Sequence, residues 1–154
     1  MTLTQSEADS LLQMPKQFVD DEPLEFSQNE PMNYDRLLQS QDRREQFILT
    51  VERGQRKRIR LKYQTRARKV ITLARLELNG PAHRNPPESP YRPSERLTGP
   101  HIHLYRESFD DRIAYDLVDV PGLNIRNLES GLSCLEDFLL FSGVSKWPAI
   151  QMAI

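Results

Sequence analysis

Apolar and polar positions alternate through the middle of the chain. Phe47, Leu49 and Val51 interleave with Ile48, Thr50 and Glu52. Alternate residues of a β-strand share a face, so this pattern predicts a strand. Arg53-Gly54-Gln55 supplies a turn. Ile59, Leu61, Tyr63, Thr65 and Ala67 then alternate with Arg58, Arg60, Lys62, Gln64, Arg66 and Arg68, predicting a second strand from Lys57 to Gln64 or beyond. From Lys69 to Leu78 nearly every position is apolar, which suits a strand covered on both faces near the middle of a sheet. Asn79-Gly80 closes it. His101–Glu107 and Arg112–Val118 read as two further strands, joined by a tight turn at Phe109-Asp110-Asp111.

Helical spacing is confined to the ends. Thr4-Gln5-Ser6-Glu7 has the form of a capping box before Ala8, Leu11 and Leu12, predicting a short helix over 4–14 that ends near Pro15. Leu128, Leu132, Leu135, Leu139 and Leu140 recur at helical spacing, predicting a helix over 127–142 with Gly143 as its stop. Asn33 to Ser40 fits helix or strand. The turn-like Gln41-Asp42-Arg43-Arg44 after it favours a strand and hairpin. Between Gly80 and Pro100 lie Pro81, Pro86, Pro87, Pro90, Pro93 and Pro100, the mark of a long loop.

These elements predict one α+β domain. A curved, mainly antiparallel sheet of five or six strands carries a short N-terminal helix, with a C-terminal helix packed on one face. Residues 1–31 form the helix and an acidic connection, 32–118 the sheet with its proline-rich loop 80–100, and 127–142 the second helix. With 154 residues the chain can bury a core. No apolar run approaches the ~18 residues that span a bilayer, so no membrane partner is expected. Cys134 is the single cysteine, and a reducing, cytoplasmic location is the simplest expectation.

Charge changes this picture. The net charge is only −1, yet residues 1–50 carry ten acids against four bases, 51–100 four acids against thirteen bases, and 101–154 eight acids against four bases. No acid interrupts the run from Arg53 to Lys69. On a strand its cations form a ladder on one face, which suggests a surface for phosphate or another polyanion. Arg56, Arg58, Arg60, Lys62, Arg66 and Arg68 are the candidate phosphate-binding residues. Exposed sheet faces also carry such residues merely to avoid aggregation.

His101, His103 and Tyr105 share a face by the same alternation, successive members about 6.6–7 Å apart. Near the basic strand, they would have the parts of a metal-independent ribonuclease: His101 and His103 as acid and base, Tyr105 beside them, and fixed cations for the phosphate. The bland alternative is a pair of surface histidines packed under the proline loop. A metal reading competes, because His101-x-His103-x3-Glu107 matches the first half of a cupin-type motif. No later histidine completes it, and His83 would serve only if the proline loop folds back. Cys134, among Leu132 and Leu135, reads as a small buried hydrophobe.

Several of these segments resemble a family. Arg44-Glu45-Gln46-Phe47-Ile48-Leu49, Glu52-Arg53-Gly54, Gln64-Thr65-Arg66-Ala67-Arg68, Leu76 through Pro86, His101-Ile102-His103-Leu104-Tyr105-Arg106-Glu107 and Leu135-Glu136-Asp137-Phe138-Leu139 together resemble a family of small, uncharacterised bacterial and prophage proteins. The chain departs from that pattern at Ser108 to Ile113, where a glycine-rich turn and a Trp are expected. The resemblance implies an α+β fold, and prophage-like settings imply roles in conflict systems. The resulting expectation is an RNA-directed, toxin-like endoribonuclease that needs no metal or other cofactor and is covered by an acidic partner such as an antitoxin. The alternative is a non-enzymatic inhibitor or regulator whose cationic strand docks nucleic acid or an acidic protein. Homo-oligomers fit either.

Overall fold

The computed structural model describes residues 2–54 and 60–153, and is α+β. Helix α1 spans Gln5–Gln13 and starts at the predicted box: Thr4 Oγ1 accepts from the Glu7 amide at 3.1 Å, and Glu7 Oε1 accepts from the Thr4 amide at 3.0 Å. Strands β1 (Lys16–Phe18), β2 (Leu24–Ser27), β3 (Met32–Ser40), β4 (Gln46–Arg53), β5 (Leu61–Ala67) and β6 (Ile71–Leu78) follow. Short strands β7 (His83–Arg84) and β8 (Arg96–Leu97) precede β9 (His101–Arg106) and β10 (Asp110–Asp116). Helix α2 (Gly131–Phe141) and β11 (Ile150–Ala153) complete the order. No helix among the described residues is long and apolar enough to cross a membrane.

The main sheet has seven strands in the order β1-β3-β4-β5-β6-β9-β10, all antiparallel neighbours. The expectation of five or six fell short because β1 lies in a stretch read as helix end and connection. Two small sheets, β2 with β11 and β7 with β8, stand apart from it. The proline-rich stretch is therefore not a bare loop.

One face of the sheet is apolar. Phe47, Leu49, Val51, Tyr63, Leu76, Ile102 and Leu104 form one buried cluster with Leu11 of α1 and Cys134, Leu135, Phe138 and Leu139 of α2. The helices thus cover the same face. Gly143 ends α2 at φ +86°, and a Cβ there would strike the Met14 carbonyl oxygen, so both conformation and space require glycine. Lys16, 4% exposed, fastens the two helices. Its Nζ donates to the carbonyls of Leu11 (2.7 Å), Leu12 (2.9 Å) and Met14 (3.0 Å) near the end of α1, and of Ser142 (2.7 Å) at the end of α2. The negative poles of both helices favour a cation there, while burial pushes the amine down to about 7.

The opposite face is polar, and its register positions the site. One cross-strand row runs Asn33, Glu52, Lys62, Glu77, His101, Asp116, and the next runs Asp35, Thr50, Gln64, Arg75, His103, Ala114. The basic strand and the histidine strand therefore face the same way with β6 between them. At the far edge, the β7 segment seals β10. Asn85 Nδ2 donates to the Ala114 carbonyl at 3.1 Å and Asn85 Oδ1 accepts the Ala114 amide at 2.9 Å, taking the place of a further strand.

Candidate metal centre

Glu77 and Arg75 are the two charged residues of an otherwise largely apolar interior strand. Strand pairing sets Glu77 beside His101 and Arg75 beside His103. The Glu77 side chain keeps 13% of its surface exposed, whereas His101 and His103 are 1% and 2% exposed. Both imidazoles converge on one carboxylate oxygen. Glu77 Oε2 lies 3.0 Å from His101 Nε2 and 3.3 Å from His103 Nε2.

The other ring nitrogens are already committed. His101 Nδ1 lies 2.9 Å from the Gly99 carbonyl oxygen, and His103 Nδ1 lies 2.9 Å from the Asp111 carbonyl oxygen. A carbonyl only accepts, so both Nδ1 atoms carry protons. A neutral ring then turns its Nε2 lone pair toward a carboxylate oxygen, an acceptor against an acceptor. A proton on Nε2 or a cation between the three groups relieves this. Arg75 supports the carboxylate: its Nη1 donates to Asp111 Oδ2 at 2.6 Å, and its Nε lies 3.8 Å from Glu77 Oε1.

The electrostatics follow from these contacts. Burial opposes the Glu77 charge, but hydrogen bonds from His101 and His103, with the charges of His103 and Arg75, hold its carboxyl far below the usual range. Burial also opposes a charged His101, yet the Glu77 carboxylate and the Gly99 carbonyl raise it above its ordinary value. The donor set fits a divalent transition ion. The three ligand atoms lie within 4.8 Å of one another. Bonds of about 2.0–2.1 Å to one ion separate neighbouring ligand atoms by roughly 2.9–3.4 Å, which matches the two N···O distances. Imidazole suits zinc, iron, copper and nickel, and each ring is oriented by a carbonyl behind it, as metal-bound histidines are.

The remaining predicted residues lie elsewhere. Tyr105 does not join the histidines: its hydroxyl donates to the Leu3 carbonyl at 2.9 Å and accepts the Leu3 amide at 2.8 Å. Glu107, the expected third ligand, instead accepts the Gln5 amide at 2.7 Å. Lys62 pairs with Glu52 at 3.3 Å, Arg66 with Asp35 at 3.4 Å and Arg68 with Glu45 at 3.3 Å. Arg60 is exposed just before β5, while Arg56 and Arg58 lie outside the described residues.

The metal-independent ribonuclease expected from the sequence is therefore wrong. Its histidines are enclosed around Glu77 in a cluster able to coordinate a metal ion. Cross-strand acids pair three described cations of the ladder, Lys62, Arg66 and Arg68. Sequence reasoning missed Glu77. The available signal was two charges in a strand read as covered on both faces, where a buried charge requires partners.

A family model describing a family of unknown function, DUF6978, matches residues 3–144, and the chain belongs to that family. No curated protein matches the chain, and no solved structure does.

Proposed function

We propose that this member of the DUF6978 family is a metal-binding domain that holds a divalent transition ion, zinc or one of similar preference, on Glu77, His101 and His103. The observation that carries this reading is the convergence of two Nε2 atoms on one carboxylate oxygen while carbonyls hold both Nδ1 protons. In neutral rings that places lone pairs against an anion inside the protein, a costly arrangement without a cation. One divalent ion satisfies both imidazoles and the carboxylate together. Its ligands come from β6 and β9, so binding reinforces their pairing and adds to the folded state.

The test is metal content. Protein purified without chelator, or reloaded after stripping, is expected to retain one ion per chain by plasma emission analysis. Glu77→Gln keeps the size and a hydrogen-bonding oxygen but loses the charge, and is expected to retain far less. Wild-type protein that carries no ion after loading, or a Glu77→Gln variant that loads equally, refutes the proposal.

A further inference from the structure

The chain has three histidines, and the third lies beside the cluster of Glu77, His101 and His103. His83 reaches it from β7. Its ring centroid lies 4.6 Å from that of His103 and 6.3 Å from that of His101, while the His101 and His103 centroids are 5.1 Å apart. Two imidazoles bound to one ion at about 2.0–2.1 Å have centroids roughly 4.5–5.2 Å apart at octahedral or tetrahedral angles. The His101–His103 and His83–His103 spacings fall in that range. The His83–His101 spacing exceeds it by about 1 Å, a movement within reach of a side-chain rotation.

His83 also repeats the pinning of the other two rings. Its Nε2 lies 2.8 Å from the Arg112 carbonyl oxygen, so Nε2 carries the proton and Nδ1 is left as the lone pair. Among the described residues nothing donates to that Nδ1. Each of the three rings thus turns one N–H to a backbone carbonyl, of Gly99, Asp111 and Arg112, and leaves its other nitrogen without a backbone partner, those of His101 and His103 facing Glu77.

We propose that His83 supplies a fourth ligand, making a closed centre of three imidazoles and one carboxylate whose role is structural. The inference rests on the metal reading of Glu77, His101 and His103. Four protein ligands complete a tetrahedral ion and leave no position for water or substrate, which separates structural from catalytic zinc sites. The ion then adds a tie between the proline-rich segment and the sheet beside the Asn85 hydrogen bonds to Ala114.

Cobalt(II) is the probe. Chelator-stripped wild type and His83→Ala are loaded with cobalt(II), and ligand-field spectra and X-ray absorption fine structure are recorded. The wild type is expected to fit three imidazoles in a tetrahedral site. His83→Ala is expected to fit two, bind at least about tenfold more weakly, and regain the wild-type spectrum on addition of free imidazole. Should His83→Ala fold poorly, His83→Gln provides the same comparison in a side chain of similar size. Identical spectra and affinity in wild type and variants overturn the role of His83 and leave the three-ligand centre standing. Failure of the wild type to bind cobalt(II) at all removes both.

Discussion

Glu77 holds its carboxylate between two imidazoles whose outer nitrogens are already bonded, and this gives the cluster a pH signature that depends on metal. In chelator-treated protein, His101 has a raised pKa, so its contribution to stability is complete below about 6.5 and is lost as pH rises through the folded value. Glu77 has a lowered pKa, so its contribution is complete above about 4.3 and is lost as pH falls toward the folded value. The cluster of the metal-free protein therefore stabilises most between these limits. Zinc competes with the proton for Nε2, so the stability added by zinc grows as pH rises through the same upper range. Urea unfolding at several pH values, with chelator and with zinc, is expected to give these opposite slopes. Equal slopes in wild type and Glu77→Gln would contradict the assignment. His101 and His103 were legible as a pair because strand alternation puts them on one face. Their partner was not, because it lies 24 residues upstream and meets them only through sheet pairing.

Strand β5 illustrates what pairing does to a charge pattern. Read alone, its cations repel one another and ask for an external anion. In the sheet, Glu52 lies opposite Lys62 on one side and Glu77 on the other, and Asp35 reaches Arg66 across Thr50. The counterions come from neighbouring strands, so a one-strand reading could not count them. The helices were more legible: capping at Thr4 and the stop at Gly143 are local chemistry, and local chemistry survives folding. Lys16 escaped notice because an isolated lysine after a proline resembles surface. Its replacement is expected to be costly. Lys16→Met leaves carbonyls at two helix ends without their donor inside the protein, and a loss of roughly 1–3 kcal/mol is expected from leaving buried acceptors unsatisfied. Chemical denaturation checks this, and a loss below about 1 kcal/mol would show that water replaces the ammonium.

The whole molecule is arranged so that its two faces do different work. Both helices lie on the apolar face and supply the core. The polar face is left to cross-strand charge pairs and the histidine cluster, closed at the β10 edge by the segment carrying His83 and Asn85. The class of fold was readable from element periods, since runs of strands between terminal helices admit few arrangements. The order of strands was not. Nothing local marks β9 as the neighbour of β6, because β7 and β8 intervene and form a sheet of their own. That single pairing decides whether Glu77 meets the histidines.

Thermal unfolding with and without zinc reads this most directly, because an ion bound only by the folded chain stabilises by mass action. At a hundredfold excess of free zinc over Kd the gain is about 2.7 kcal/mol, which for a chain of this size raises Tm by roughly 5–11 °C. The wild type is expected to show that rise after chelator stripping, and Glu77→Gln to show almost none. An unchanged wild-type Tm under saturating zinc, or the same rise in both proteins, would contradict the centre.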